Sequence, residues 1–211
     1  MKKNKLAVIV AGGDCTGSET KKILATADCI IAADGGANSC LKLGFTPNFV
    51  IGDFDSVSKK TLDKLKKNKI TQVIYDPDQN KTDLELAIEI LNKIKPHESI
   101  ILGALGNRFD HTLANMIVMD KVDKKIKTKI IADNHEIFLV DKKIMLTGKI
   151  GEIISIIPLT KVTGLTYTGL KWPLKNAKFN WGWIGIRNQL IKTRATISLT
   201  SGKILVIKTI K

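Results

Sequence analysis

Over its first 132 residues the chain alternates short β-branched apolar runs with stretches of helical period. The runs at 5–11, 29–33, 49–52, 71–75, 99–102 and 129–132 predict strands. Strands alternating with helices predict a mostly parallel, Rossmann-like α/β sheet with flanking helices. Two helix starts carry a capping box. Thr16-x-x-Glu19 opens a helix over 19–27, and Thr82-x-x-Glu85 opens one over 83–93. The second helix spaces Leu84, Ala87, Ile88 and Leu91 along one stripe, which turns toward the sheet. Gly44 ends a helix that begins near Ala37, and Pro96 bars continuation of the helix before it.

Past Asn134 the helical period stops. Segments 136–140, 152–158, 193–199 and 203–208 are short, β-branched and separated by Gly, Pro and Asn turns. That texture predicts an all-β sandwich after the α/β part. The expected domains are 1–132 and 133–211, without a flexible linker, an internal repeat or a low-complexity tract.

Composition narrows the function classes. Apolar residues make up 44% and charged residues 26% of the 211, as in ordinary globular proteins. No apolar run approaches the ~20 residues that span a bilayer. Residues 6–11 follow a lysine-rich start as in a signal peptide, but the run is too short and Gly12-Gly13-Asp14 is a poor cleavage region. It reads as the first strand of a cytoplasmic protein. Cys15, Cys29 and Cys40 form no CxxC pair and leave an odd count, which fits reduced thiols. The net charge of +14 raises nucleic-acid binding. It comes from dispersed lysines with only Arg108, Arg187 and Arg194 as arginines, and aromatics are 5%. Base readout and single-strand stacking both need what is scarce here, so neither nucleic acid nor membrane is an expected partner. A positive surface still attracts a small anionic substrate.

Candidate chemistry gathers where strands end, the usual ligand-binding side of an α/β sheet. Phe49-Val-Ile-Gly-Asp-Phe-Asp-Ser56 ends an apolar run with two carboxylates, Asp53 and Asp55, at i and i+2. On an extended segment these share one face and repel unless a cation such as Mg²⁺ sits between them. The structural alternative is a plain turn, since Gly, Asp and Ser all favour one. Gly12-Gly-Asp-Cys-Thr-Gly17 lacks the Walker lysine and does not match GxGxxG, leaving at most a modest anion site. In Asp34-Gly35-Gly36-Ala37-Asn38, paired glycines admit a ligand near the backbone, and Asp34 either binds a ribose hydroxyl, orders the metal site or caps the turn. Thr82 and Asp83 are explained by helix capping unless the loop points toward Asp53. Gly103-Ala-Leu-Gly106-Asn-Arg108-Phe-Asp110-His111 offers an arginine for phosphate charge, an acid and a histidine at a helix start, where capping is the alternative role. The three tryptophans, Trp172, Trp181 and Trp183, either fill the sandwich core or face a cationic ring.

These pieces occur together in an order that resembles the thiamin pyrophosphokinase family. They are 33–38, Pro47 with 51–56, 82–87, 103–106 with 108–111, and 169–174, spread across nearly the whole chain. The resemblance implies an α/β catalytic domain followed by a thiamin-binding sandwich. It implies transfer of the pyrophosphoryl group of ATP to the hydroxyl of thiamin, with release of AMP. It assigns Asp53, Asp55 and Asp83 to Mg²⁺, with Arg108 and Asp110 also catalytic. ATP would meet Asp34, Gly35, Gly36, Asn38, Gln79, Thr82, Gly106, Arg108 and His111. Thiamin would meet Trp172, Arg187 and Asn188, between one subunit and its partner in a homodimer. The chain departs from the family pattern at Asn107 before Arg108, at Gln79-Asn80, and at Arg187-Asn188, where Ser-Asn is usual. Two other readings share this plan: pyrophosphorylation of another hydroxyalkyl heterocycle such as a pterin, and a non-enzymatic basic binding protein.

Overall fold

A computed structural model describes residues 5–15, 17–67, 70, 80–180 and 182–210, and the backbone alone of 72–74. The fold is mixed α/β, with a large mixed sheet and a separate four-stranded antiparallel sheet. The chain divides into two compact units, Met1–Ala132 and Asp133–Lys211.

In the first unit, β1 (Leu6–Val10), β2 (Cys29–Ala33), β3 (Phe49–Ile51), β4 (Gln72–Ile74), β5 (Glu98–Leu102) and β6 (Lys127–Ala132) lie in the order β6-β5-β1-β2-β3-β4. Every pairing among them is parallel. Five helices connect them: α1 (Ser18–Ala25), α2 (Gly36–Lys42), α3 (Lys59–Lys67), α4 (Asp83–Ile94) and α5 (Phe109–Val118). Alternate residues of each strand point to opposite faces. Val8, Val10, Ile30, Ala32, Val50 and Leu102 pack with Leu24, Ala37, Cys40 and Leu65 of α1, α2 and α3. The other face takes α4, which packs on β2 and β3. A mostly parallel Rossmann-like sheet is therefore right for the pairing inside this unit. It is not right for the strand order, which runs four strands to one side of the crossover, nor for the large sheet as a whole.

Local signals explain most element ends. Thr82 Oγ1 accepts the Glu85 N–H at 3.3 Å while Glu85 Oε2 accepts the Thr82 N–H at 2.8 Å, the complete capping box. Helix α1 starts one residue earlier than predicted, at Ser18, with Gly17 as its N-cap. Thr16 lies outside the described residues. Helix α3 is crowded with lysines, yet Thr61 and Leu65, four apart, bury one face.

The second unit holds β7 (His135–Val140), β8 (Lys143–Thr147), β9 (Ile153–Pro158), β10 (Val162–Thr168), β11 (Leu174–Phe179), β12 (Gly185–Gln189), β13 (Arg194–Ser198) and β14 (Ile204–Thr209). Antiparallel sets β12-β9-β14-β7 and β11-β10-β13-β8 face each other. Ile154, Ile156, Ile204 and Val206 of one set and Leu146, Leu165, Tyr167 and Ile197 of the other share a single core, so the unit is a sandwich. Buried Lys208, 8% exposed, is satisfied by Thr147 O at 2.8 Å and Glu136 at 2.7 Å. Burial pushes the thiols of Cys29 and Cys40 up to about 11 and about 12, and all three cysteines are free.

Candidate active site

Strand order reverses between β1 and β5, so the loops after those two strands part there and open the crevice where α/β sheets bind ligands. They stay joined at their roots by Ala11 N–H to Leu102 O at 2.8 Å and Gly13 N–H to Gly103 O at 2.9 Å. Alongside, a cleft of about 410 Å³ is lined by Gly12, Gly13, Gly35, Asn38, Lys42 and Ser56, among others. Lys42 gives this cleft a cation that sequence patterns did not single out.

Next to the cleft lie the carboxylates. Asp34, Asp53 and Asp55 each place an oxygen within 4.8 Å of the others. Their convergence does not come from an extended segment, as the i, i+2 spacing suggested, because β3 ends at Ile51. The chain bends at Gly52 and turns at Asp55 and Ser56 instead. Phe54, between the two aspartates, has φ of 63°, a left-handed value uncommon for a bulky residue. The Asp55 N–H donates to Asp53 Oδ1 at 3.1 Å and Ser56 Oγ donates to Asp55 Oδ1 at 2.8 Å. Turn and shared face are thus one device.

Asp83 reaches the same centre from the start of α4. A Cβ on Gly52, whose φ is 136°, would stand 2.8 Å from Asp83 Oδ1 and 3.0 Å from Asp34 Cβ. Only a residue without a side chain lets these acids close in. Partial burial first, then the charges of Asp34, Asp53 and Asp55, push Asp83 up to about 6. The folded protein therefore holds this proton to about pH 6, whereas the unfolded chain releases it near 3.8. The native state binds more protons in that window, so metal-free protein loses stability as pH rises from about 4 to about 6. Asp83→Asn removes this loss: in chelator it should melt above wild type at neutral pH and together with it near pH 4. Parallel melting curves at both pH values would disprove the coupling.

The other expected ATP contacts fall into two groups. Asn38 Nδ2 donates to Ser56 O at 2.8 Å and its Oδ1 accepts the Ser58 N–H at 3.0 Å, so it ties α2 to the acidic turn. Gly35 lines the cleft, while Gly36 is pressed against β1. Thr82 is spent on capping. Arg108 and Asp110 form an exposed two-bond pair, Nε to Oδ1 at 2.9 Å and Nη2 to Oδ2 at 2.6 Å. The Arg108 guanidinium holds the Asp110 carboxyl far below its usual range. His111 is exposed one residue on. Gln79 lies outside the described residues. Sequence reasoning missed Thr112 and Asn115 on α5: the Gly106 N–H donates to Thr112 Oγ1 at 3.2 Å and Asn115 Nδ2 donates to Ala104 O at 2.8 Å. Their i, i+3 spacing on one helix face was the available signal.

In the sandwich unit, Asn188 is 6% exposed and its amide brackets Trp172. Oδ1 accepts the Trp172 N–H at 3.1 Å and Nδ2 donates to Trp172 O at 2.8 Å. Trp172 itself is 54% exposed, with Lys171 Nζ 4.8 Å from its ring centroid. Trp183 stacks on Phe179 at 3.8 Å and packs, partly buried, against the sandwich core. Arg187 is exposed at an irregularity of β12, with φ of 63° and its N–H on Ser155 Oγ at 3.3 Å.

Residues 20–132 match the family described as thiamin pyrophosphokinase, catalytic domain, and residues 139–204 match its vitamin B1 binding domain. Thiamine pyrophosphokinase of Bacillus subtilis is 31% identical over 211 residues, covering 95% of this chain and 96% of the relative. Thiamine pyrophosphokinase 1 of Oryza sativa is 28% identical, covering 83% and 76%. The crystal structure of the B. subtilis protein superposes with a TM-score of 0.86 at 29% identity, over 98% of this chain and all of that one. The thiamin pyrophosphokinase family protein of Enterococcus faecalis gives 0.82 at 25%, over 98% and 99%. Two successive family domains spanning most of the sequence, on the fold of solved relatives, place this chain in the thiamin pyrophosphokinase family.

Proposed function

We infer that this chain transfers the terminal pyrophosphoryl group of ATP to the hydroxyl of thiamin, giving thiamin diphosphate and AMP. The observation that carries this reading is the succession of catalytic and vitamin B1 binding domains along one chain, with the acidic centre in the first. The hydroxyl oxygen bonds to the β-phosphorus, the bond from that phosphorus to the α-phosphate bridging oxygen breaks, and the hydroxyl proton leaves. Such a transfer needs positioning and charge neutralisation more than a strong base.

The residues present fit Mg²⁺. Its donors are hard carboxylate oxygens, and Asp34 also carries an oxygen, Oδ1, that is buried without a hydrogen-bond partner. The cradle exists only because Gly52 has no Cβ. Asp53 and Asp55 would hold the ion with Asp34 or Asp83 beside them, and when bound it neutralises phosphate charge. Around it, Asn38 keeps the acidic turn on α2, Lys42 adds positive charge to the cleft, and Thr112 and Asn115 hold the loop after β5. Arg108 meets phosphate by exchanging its exposed Asp110 partner. In the sandwich unit the open Trp172 ring receives the thiazolium, and buried Asn188 acts by fixing Trp172. Exposed Arg187 faces solvent, which avoids setting two cations together. We place the enzyme in the cytoplasm as a homodimer that completes the thiamin site with its partner.

Incubation with ATP, Mg²⁺ and a panel of thiamin, a hydroxymethyl pterin and buffer alone tests the reading. AMP and thiamin diphosphate should appear in equal amounts with thiamin only. AMP formation with the pterin in preference to thiamin, or none with either, would overturn it.

A further inference from the structure

The charge of the sandwich unit is at odds with a cationic ligand. Between Ile153 and Lys211 the chain carries eight lysines and two arginines, and not one aspartate or glutamate. Of the acids earlier in the unit, Glu136 and Glu152 are turned onto buried Lys208, at 2.7 and 3.7 Å. Trp172 stands out of this positive stretch, 54% exposed. Its neighbour Lys171 lays its own ammonium 4.8 Å from the ring centroid, inside the range of a cation–π contact. Among the described residues no acid pairs with that exposed ammonium. The backbone beneath it is clamped. The Lys171 N–H donates to Gln189 O at 2.9 Å and the Ile191 N–H donates to Gly169 O at 3.1 Å. Asn188 holds both backbone groups of Trp172. The strap cannot lift, so the lysine side chain alone can clear the ring.

We propose that Lys171 sets which form of the vitamin the Trp172 platform prefers, weakening thiamin and favouring thiamin diphosphate. The inference rests on the reaction proposed above and gives a role to a residue that the resemblance left without one. Thiamin is a cation at its thiazolium ring. Whichever face of Trp172 that ring takes, it either displaces the ammonium or meets it across the indole. An exposed cation–π contact is worth a few fold in affinity, and entry of thiamin gives that up. Formation of the diphosphate turns the ligand into a net anion. Its phosphates hang from the thiazolium by a short arm, within reach of a lysine already at that ring. The displaced ammonium then pairs with phosphate oxygens, and no carboxylate of residues 153–211 competes for it. Lys171 thus opposes the substrate and holds the product.

Equilibrium dialysis of thiamin and of thiamin diphosphate, each against the whole chain with Mg²⁺ and no ATP, tests this. Lys171→Met keeps the stem and removes the charge. It should bind thiamin about threefold tighter and thiamin diphosphate about fivefold weaker. Lys171→Gln is the second neutral variant, with the same expectation. Lys171→Arg restores a cation that stacks on the ring, and it should stay near wild type for both ligands. Lys175→Met removes another exposed lysine of the same stretch and should leave the ratio of the two affinities within about twofold. Opposite movement of the two ligands is a readout that a damaged fold cannot imitate, and melting temperatures are read on the same samples. Affinities of folded Lys171→Met that both fall, both rise or both stay overturn the proposal. So does a ratio shift in Lys175→Met as large as that in Lys171→Met, or wild type that binds neither form. AMP formation is assayed in parallel. An active wild type with any of these results sinks this inference alone, whereas a wild type that makes no AMP sinks the proposed reaction with it.

Discussion

Asp53→Asn and Asp55→Asn should each cut AMP formation by roughly a hundredfold or more. The fold should survive both changes. Asn keeps the Oδ1 that accepts the Asp55 N–H in one case and the Ser56 hydroxyl in the other. What it loses is the charge, and the turn that aims these oxygens depends on hydrogen bonds rather than charge. Both residues are also exposed, so no packing is disturbed. Steady-state AMP release at saturating ATP and thiamin, beside thermal melts, separates the two effects. Near-normal turnover of both variants at limiting Mg²⁺ would remove the acidic turn from the mechanism.

Gly36→Ala should be the most damaging small change to stability, costing about 3 kcal/mol. A Cβ there would stand 1.9 Å from Val10 O and 2.7 Å from Val10 C. Both are backbone atoms at the buried end of a strand, so nothing can rotate aside and α2 must lift from β1. Gly12→Ala is the matched control, since no heavy atom lies within 4 Å of a Cβ at that position. It should melt within a degree or two of wild type, in keeping with the small effect of surface substitutions. Equal melting temperatures for the two variants would show that the contact between α2 and β1 is looser than drawn.

The apolar runs at 5–11, 29–33 and 99–102 are legible as strands because their side chains are buried almost throughout, so composition alone marks them. The Thr82 box is legible for a different reason: it is local, made and closed within four residues. Where those conditions fail, prediction fails. Strand β11, Leu174–Phe179, has a half-exposed lysine-rich pattern and was not foreseen. Its identity as a strand depends on pairing with β10, distant information that no short window holds.

The site divides the same way. Residue type and order are sufficient to pick out Asp53, Asp55 and the glycine junctions, because Asp and Gly carry their chemistry in the side chain or its absence. By itself the sequence determined which acids stand where parallel strands end, and the succession of an α/β part and a sandwich. Only the tertiary structure decided that Asp34 joins Asp53 and Asp55, although 19 positions separate Asp34 from Asp53. The reason is the parallel pairing of β2 with β3, which sets the ends of two strands side by side however far apart they lie in the chain. The structure likewise gave Asn38 and Asn188 their partners, Ser56 and Ser58 for one and Trp172 for the other, since an amide's bonds are set by the groups the fold brings to it.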